Sequence, residues 1–242
     1  MNAQQIVINL LALFLLLIGP VWDYFDTRGL KSNPSSRARL RYYLQTIVWL
    51  WIAAIAACWG NGFGALFTLH GLGISGLWLH LHRWAWWLLA VLIGLFVLLQ
   101  PVLPVVQVLI KHRNRPYIEP RALQQLRFFL PSSSLERRWF AALCVTAGIC
   151  EELLFRGFLL RYLHTSPLRL GLAWTILISA AGFGAHHLYQ GFKGAVSAGA
   201  GALIFTAILL VTGNLLAGIL LHAATDLSIL LYWRPKPVDL DR

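Results

Sequence analysis

Charged side chains are scarce in this chain. They make up 12% of its 242 residues, whereas 58% of the residues are hydrophobic. A soluble globular domain carries about twice that share of charge, so the composition excludes an ordinary water-soluble fold. Several charge-poor hydrophobic runs reach the roughly 18 residues that suffice to cross a bilayer. We therefore expect a membrane protein whose apolar surface faces lipid.

Cysteine is equally scarce, with only Cys58, Cys144 and Cys150, all in apolar stretches. An odd number of cysteines without paired spacing excludes a disulfide framework and provides no CxxC metal motif. The sequence also lacks an HExxH motif, which is the signature of the soluble zinc proteases. None of these common signatures therefore identifies a site.

Acidic residues number nine, against 20 lysines and arginines. Such a basic balance can accompany nucleic-acid binding. Here, however, the basic residues lie between hydrophobic runs, where they usually set membrane topology. We therefore expect no nucleic-acid partner, and we expect the basic residues to lie against anionic membrane lipids at the cytoplasmic surface.

The hydrophobic runs predict seven membrane spans. They cover residues 6–22, 43–59, a run that starts near Trp84, 135–163, 170–188, 194–212 and 214–232. The Gly-rich segment 60–83 leaves an eighth span open, and two basic loops, 23–42 and 111–138, separate the early spans. The predicted fold class is therefore all-α, a polytopic transmembrane helical bundle of about seven or eight spans.

The basic residues are distributed unevenly between the two sides of the predicted membrane region. If the N-terminus lies outside, sixteen lysines and arginines fall on the inner side and three on the outer side. The positive-inside rule then places both basic loops in the cytoplasm and the protein in the cell (inner) membrane. Ser133 and Glu136 have the spacing of a capping box that opens the fourth span.

Three acidic residues lie well inside predicted spans, away from their ends: Glu151, Glu152 and Asp226. An ionisable residue near the bilayer centre costs about 2.5–3.5 kcal/mol on insertion scales and is a candidate functional residue by default. Glu152 and Arg156 are spaced i and i+4, so they share a helical face and can neutralise each other. Glu151 points about 100° away and can act as a general base on water. The alternative is a purely structural polar clamp between helices.

Two later spans carry histidines at the same helical spacing. Phe183 and His187 share a face near the end of the fifth span, and His222 and Asp226 share a face of the seventh. An aspartate one turn away can orient an imidazole and fix its tautomer. The alternative for this pair is an isolated interhelical hydrogen bond, and for His186 we favour a position at the lipid headgroup boundary.

These residues suit hydrolysis by an activated water with oxyanion stabilisation. They equally suit a metal site in which Glu151, His187 and His222 hold zinc or another divalent cation beside an open water position. A proton-coupled membrane transporter is the main alternative, because intramembrane Glu, His and Arg also mark proton relays. Haem ligation by the two histidines is a further alternative, although it leaves the glutamates without a role.

Three motifs stand in the order typical of one family of membrane proteases. They are Glu151-Glu152-x-x-x-Arg156, Phe183-x-x-x-His187 and His222-x-x-x-Asp226. They resemble the motifs of the CPBP family, which comprises the type II CAAX prenyl endopeptidases and the bacteriocin-processing and self-immunity membrane proteases. The resemblance covers about 139–232 and delimits a CPBP-like catalytic transmembrane domain. It leaves 1–138 as an N-terminal transmembrane region with two basic loops and 233–242 as a polar C-terminal tail.

The resemblance implies a helical membrane fold with an internal polar cavity. It also implies an endopeptidase that hydrolyses a peptide bond in a membrane-associated peptide or protein, either prenylated or amphipathic. Glu151 and His187 would activate the water, and His222 would assist through oxyanion or metal binding. The resemblance leaves metalloprotease and glutamate-type mechanisms open.

The same resemblance assigns Glu152 and Arg156 a supporting role in the site. The third motif of the family often ends in Asn, whereas here it ends in Asp226. A carboxylate cannot donate a hydrogen bond to an oxyanion unless it is protonated. We therefore interpret Asp226 as the residue that orients His222.

Overall fold

The structure is a computed structural model that describes residues 2–69, 126–165 and 169–233, together with positions 91, 94, 95 and 106. Regular structure in these parts of the chain is helical, apart from an isolated antiparallel bridge between Thr68 and Asn214. The all-α fold class is therefore confirmed.

Several sequence-based expectations lie outside the described residues. These are nearly all of the third span, residues 70–83 of the Gly-rich segment, the first part of the 111–138 loop and the tail beyond 233. The number of spans therefore stays a prediction.

Nine helices have both ends within the described residues. They are α1 (Ala3–Leu13), α2 (Gly19–Ser32), α3 (Ser36–Asn61), α4 (Phe63–Phe67), α5 (Ser134–Glu151), α6 (Leu160–Thr165), α7 (Leu172–His186), α8 (Phe192–Thr212) and α9 (Leu216–Tyr232). A π-helical segment at Phe14–Ile18 joins α1 to α2, and a second at Glu152–Leu159 joins α5 to α6. Because π turns often occur at functional sites, the second segment marks the helix that carries the paired glutamates.

Three helical stretches within the described residues are long and apolar enough to cross a membrane. They are Ala3–Ser32, Ser36–Asn61 and Phe192–Thr212. Helix α7 and the Leu216–Leu231 part of α9 are shorter apolar helices. The corresponding predicted spans are therefore helices, with ends that differ from the prediction by a few residues except at the first basic loop.

Large apolar side chains cover much of the outer surface of these helices. Trp22, Trp49, Ile55 and Leu220 are each more than half exposed. Exposed apolar surface on this scale is typical of an interaction with lipid or another apolar partner. Together with the long apolar helices, it supports a membrane protein.

The first predicted basic loop, 23–42, is mainly helical, which corrects the sequence-based expectation. Helix α2 continues to Ser32 and α3 begins at Ser36, so only Asn33, Pro34 and Ser35 connect them. Pro34 disfavours helical geometry in the residue before it, and the Ser35 side chain accepts a hydrogen bond from the N–H of Ala38, as an N-cap does. The charged residues of this segment therefore occupy helix ends rather than an irregular loop.

The helix ends meet in two groups, one at each end of α3. In the first group, Nε of Arg39 donates to Oε2 of Glu136 at 2.6 Å, and the indole N–H of Trp233 donates to the Pro131 carbonyl at 2.6 Å. In the second group, the N–H of Leu215 donates to the Phe67 carbonyl at 3.1 Å. The segments assigned to the inner side by their basic residues therefore contact one another.

Ser133 is the N-cap of α5, as the predicted capping box requires, and the Glu136 side chain accepts from the N–H of Ser132 at 2.9 Å. The Ser133 hydroxyl accepts a hydrogen bond from the N–H of Glu136 at 3.2 Å, and the Glu136 side chain is fully buried against Arg39. Burial raises the pKa of Glu136, but hydrogen bonds from Arg39 and from the N–H of Ser132 outweigh it and hold the pKa at about 2. A buried, charged pair therefore joins the first turns of α3 and α5.

Helices α5 and α9 pack in close contact beside the paired glutamates. A Cβ atom on Gly148 would lie only 2.7 Å from the backbone nitrogen of Ala223, so a larger residue would push the two helices apart. This approach brings the start of the second π-helical segment to His222, which immediately precedes Ala223 in α9. The packing thus positions the candidate site.

Candidate active site

The two glutamates lie where α5 passes into the π-helical segment. Glu151 is the last residue of α5 and Glu152 the first of the π-helical segment. Glu152 and Arg156 are almost completely buried, each with 1% of its surface exposed. The predicted i,i+4 ion pair is present, because Nη1 of Arg156 lies 3.2 Å from Oε1 of Glu152.

The same carboxylate oxygen also holds a histidine. Oε1 of Glu152 lies 2.9 Å from Nδ1 of His222, which is itself buried. Asp226 was the expected orienting residue, but its Oδ2 lies 3.7 Å from Nε2 of His222, beyond a direct hydrogen bond. Glu152 therefore fixes the ring, and it does so because the α5–α9 packing brings it closer than the aspartate one turn away.

The second nitrogen of His222 faces two carboxylates. Its Nε2 lies 3.8 Å from Oε2 of Glu151 and 3.7 Å from Oδ2 of Asp226. Separations of this size are too long for direct bonds but short enough to be bridged by a single oxygen atom. The arrangement can therefore bind a water molecule or a substrate oxygen among three polar groups.

His187 follows the last residue of α7, and a backbone carbonyl holds its ring. Its Nδ1 lies 2.9 Å from the carbonyl oxygen of Phe183. A carbonyl only accepts, so Nδ1 carries the hydrogen and Nε2 of the neutral ring keeps its lone pair. The ring stacks on Phe183 at 4.7 Å and on Tyr189 at 5.9 Å between centroids. His187 is thus presented as a hydrogen-bond acceptor at Nε2.

Phe183 links the two histidines with the buried arginine. Its ring centroid lies 6.1 Å from that of His222 and 4.4 Å from Cζ of Arg156. Phe205 of α8 stacks on His222 at 5.1 Å between centroids, and its ring centroid lies 5.6 Å from Cζ of Arg156. The two aromatic rings therefore enclose the guanidinium and limit the movement of the His222 ring.

The six site residues predicted from the sequence lie in one cluster, some in direct polar contact and one linked only through an aromatic ring. Glu151, Glu152 and Asp226 approach His222 directly, and Arg156 pairs with Glu152. His187 joins this group through the Phe183 ring. Among the described residues, no hydrogen bond or ion pair connects His187 to a glutamate.

Some neighbours of the site carried no sequence signal. Phe205 lies in an apolar helix without charged residues nearby in sequence. Asp23 and His186 pair at 2.5 Å although 163 positions separate them, and Lys31 reaches the Tyr189 carbonyl across 158 positions. His186 was expected only at a headgroup boundary. Such long-range pairs depend on helix packing, which spacing within one span does not reveal.

A catalytic zinc site needs three protein ligands around one point. Within the described part of the chain, no group of three or more His, Cys, Asp or Glu side chains is arranged to hold one. The expected trio of Glu151, His187 and His222 is not among such groups: Oε2 of Glu151 lies 3.8 Å from Nε2 of His222, and the His187 ring stacks on Phe183. The arrangement therefore does not fit the proposed three-residue ligand set.

The family comparison covers the segment that contains this site. Residues 134–228 match the family described as type II CAAX prenyl endopeptidase Rce1-like. Comparison with curated proteins and with solved structures found no match.

The matched segment includes all six predicted site residues, from Glu151 to Asp226. Rce1-like proteins are a family of proteases, and the match gives no support to the transporter alternative. The resemblance found in the motifs is therefore confirmed: residues 134–228 of this helical membrane protein match the family described as type II CAAX prenyl endopeptidase Rce1-like.

Proposed function

We propose that this protein is an intramembrane endopeptidase that hydrolyses a peptide bond in a prenylated or amphipathic, membrane-associated peptide or protein. The observation that carries the proposal is the position of His222. Its Nδ1 is anchored to Glu152 at 2.9 Å, and its Nε2 lies 3.8 Å from Glu151 and 3.7 Å from Asp226. The Rce1-like match over the same residues supports the reaction class.

Glu151 and His187 activate the attacking water. The water oxygen attacks the carbonyl carbon of the scissile bond and gives its proton to the Glu151 carboxylate. Nε2 of His187, which keeps its lone pair because Nδ1 donates to Phe183, accepts the second hydrogen bond of that water and orients it. General-base assistance of this kind contributes about 10²–10⁴-fold to the rate.

His222 stabilises the oxyanion of the tetrahedral intermediate. As the tetrahedral intermediate forms, the carbonyl electron pair moves onto oxygen, and the protonated Nε2 of His222 donates a hydrogen bond to it. Loss of one such donor typically costs about 3–4 kcal/mol. The intermediate then collapses, the C–N bond breaks, and the leaving amine takes the proton from Glu151. These steps use groups of this chain only.

Glu152 and Arg156 hold the site rather than react. Glu152 fixes the His222 ring through Nδ1, and Arg156 balances the charge of Glu152 at 3.2 Å. A buried carboxylate without its cation would be strongly unfavourable. Asp226, like Glu151, lies close to Nε2 of His222, at 3.7 Å, and adds a second carboxylate to the surroundings of the attacked carbonyl oxygen.

The finer membrane arrangement is part of the proposal. We infer seven or eight spans around an internal polar cavity, with the basic helix ends on the cytoplasmic side of the cell membrane. The contact of Arg39 with Glu136 and that of Trp233 with Pro131 support a shared side for these segments. Labelling of single cysteines introduced at Arg37 and at Gly171 in intact cells tests it, since the two must be accessible from opposite sides.

A reconstituted assay tests the function. Purified protein in lipid vesicles is incubated with a fluorescent farnesylated peptide ending in a CAAX-type sequence, and products are identified by mass spectrometry. Wild-type protein is expected to cleave it, and Glu151→Gln is expected to lose cleavage while keeping its thermal unfolding midpoint in detergent. Asp26→Asn, an exposed acid of α2, is the matched control and should cleave normally.

A further inference from the structure

Helix α2 contacts the chain on both sides of His187. Oδ2 of Asp23 lies 2.5 Å from Nδ1 of His186, the residue before it. Nζ of Lys31 donates to the carbonyl of Tyr189, two residues after it, at 2.6 Å. Both Asp23 and Lys31 lie far outside the 134–228 segment that matches the protease family. The N-terminal region therefore touches the candidate site at two separate points.

The His186 ring is held at both nitrogens. While Nδ1 pairs with Asp23, Nε2 lies 3.0 Å from the carbonyl oxygen of Leu15, in the π-helical segment between α1 and α2. Gly19 makes room for the ring, because a Cβ atom there would lie 2.4 Å from Cε1 of His186. The rings of Phe155 and His186 pack in a T-shaped arrangement with their centroids 5.5 Å apart. The end of α7 is thus fixed to the N-terminal helices.

The Lys31 contact fixes the other side. Its ammonium group lies 4.9 Å from the centroid of the Phe128 ring as well as donating to Tyr189. Tyr189 belongs to the short 3₁₀ turn Leu188–Gln190, and its ring stacks on His187. By fixing the Tyr189 backbone, Lys31 therefore also fixes the position of the aromatic ring that stacks on His187.

His187 needs such support because of its place in the fold. It is the C-cap of α7, with φ −97° and ψ 11°, and so lies outside regular helical geometry. Helix ends fray, and backbone at such ends moves more readily than in the middle of a helix. An error of about 1 Å in the position of a reacting group can cost on the order of 100-fold in rate.

We propose that Asp23 and Lys31 are positioning residues for His187, so that helix α2 is a working part of the active site. This inference rests on the proposed function of His187 as the residue that orients the attacking water. Asp23 acts through His186, and Lys31 acts through Tyr189. Neither side chain contacts the reacting atoms.

Kinetics of the full-length protein in vesicles provide the first half of the test. For Asp23→Ala and for Lys31→Met, kcat for the farnesylated peptide is expected to fall by about tenfold or more, with KM little changed. Lys31→Arg keeps a donor and Asp23→Asn keeps an acceptor, so both should recover part of kcat. The controls on the same helix, Asp26→Asn and Arg28→Met, should behave as wild type.

These controls carry charges of the same sign as the test positions and lie on the same helix. Asp26 and Arg28 are exposed, and Cζ of Arg28 lies 5.7 Å from the Tyr24 ring centroid within α2 itself. Neither has a hydrogen bond or ion pair with the described residues 186–190. A loss of activity in these controls equal to that in the test variants would contradict the proposal.

A spectroscopic measurement provides the second half and does not depend on activity. Protein with ¹⁵N-labelled histidine rings is studied by NMR in detergent, and the His187 signals are assigned by their absence from His187→Ala. Wild type should show one ring tautomer with the hydrogen on Nδ1. Asp23→Ala and Lys31→Met should show His187 signals averaged between tautomers, and thermal unfolding is measured on the same samples.

The two readouts separate the inference from the proposed function. If wild type cleaves the peptide and the two variants retain its kcat and its His187 signals, the positioning role is wrong and the peptidase stands. If wild type cleaves no peptide but the variants lose the fixed tautomer, the mechanical link stands and the proposed function fails. Should an Ala or Met variant unfold, Asp23→Asn and Lys31→Gln give the same comparison with smaller changes.

Discussion

Oε1 of Glu152 lies 2.9 Å from Nδ1 of His222, a residue 70 positions later in the chain. This bond decides which ring nitrogen of His222 is available to a substrate. Nδ1 is bonded to Glu152, so Nε2 is the nitrogen that lies near Glu151 and Asp226. The second glutamate of the motif thus orients a histidine, while the first lies beside its reactive nitrogen. Adjacent carboxylates with different partners can therefore take different roles.

Replacement of Glu152 tests the supporting role. In Glu152→Gln, the amide can still accept from His222, but Arg156 remains buried without a carboxylate. Removing one partner of a buried pair typically costs about 3–5 kcal/mol, so thermal unfolding in detergent should occur at a clearly lower temperature and turnover should fall. An unfolding midpoint equal to that of wild type would show that the pair is not structural.

Replacement of Asp226 tests the role of the second carboxylate near Nε2 of His222. Asp226→Asn introduces an amide that can donate to an oxyanion, which the carboxylate cannot do unless protonated. We expect kcat to be maintained or raised in Asp226→Asn and to fall in Asp226→Leu. A large loss in the Asn variant would mean that the negative charge itself is required.

The buried pair of Arg39 and Glu136 makes stability depend on pH. The pKa of Glu136 is lowered from 4.5 to about 2, so this pair stabilises the fold fully above about pH 4.5 and progressively less as pH falls towards 2. Thermal unfolding is measured between pH 6 and pH 3, in a detergent that stays soluble over that range. The unfolding midpoint should fall as the pH is lowered.

Glu136→Gln is the matched variant for that measurement. It removes the titrating group, so its unfolding midpoint should be lower at pH 6 and should change less on acidification than that of wild type. Parallel pH curves for the two proteins would contradict the assignment.

Chelation tests the steps proposed for hydrolysis. Because those steps use only side chains of this chain, dialysis against a chelator should leave cleavage of the farnesylated peptide unchanged. Metal analysis of the same sample gives the control. Activity that disappears with the metal and returns on addition of zinc would require another mechanism.

Much of the fold follows from local sequence properties. Hydrophobic runs located the helices that the structure describes, and the helical period paired Glu152 with Arg156. Ser133 and Glu136 gave the start of α5 correctly. In each case, the interaction joins residues within about one helical turn.

The remaining features depend on packing between distant segments. Glu152 rather than Asp226 holds His222 because Gly148 allows α5 to approach Ala223 so closely. The charges of 23–42 suggested a loop and concealed the continuation of α2, which contacts the site. Neither the i,i+4 spacing nor the hydrophobic pattern contains information about such contacts.

The central claim is that the Glu151 carboxylate activates water for peptide hydrolysis, and one comparison tests it most directly. Wild type, Glu151→Gln and Asp26→Asn are reconstituted at equal protein content, and release of product from the farnesylated peptide is followed by mass spectrometry. The predicted result is cleavage by wild type and Asp26→Asn, with a loss of about 100-fold or more in Glu151→Gln at an unchanged unfolding midpoint. Full turnover by folded Glu151→Gln would contradict the account.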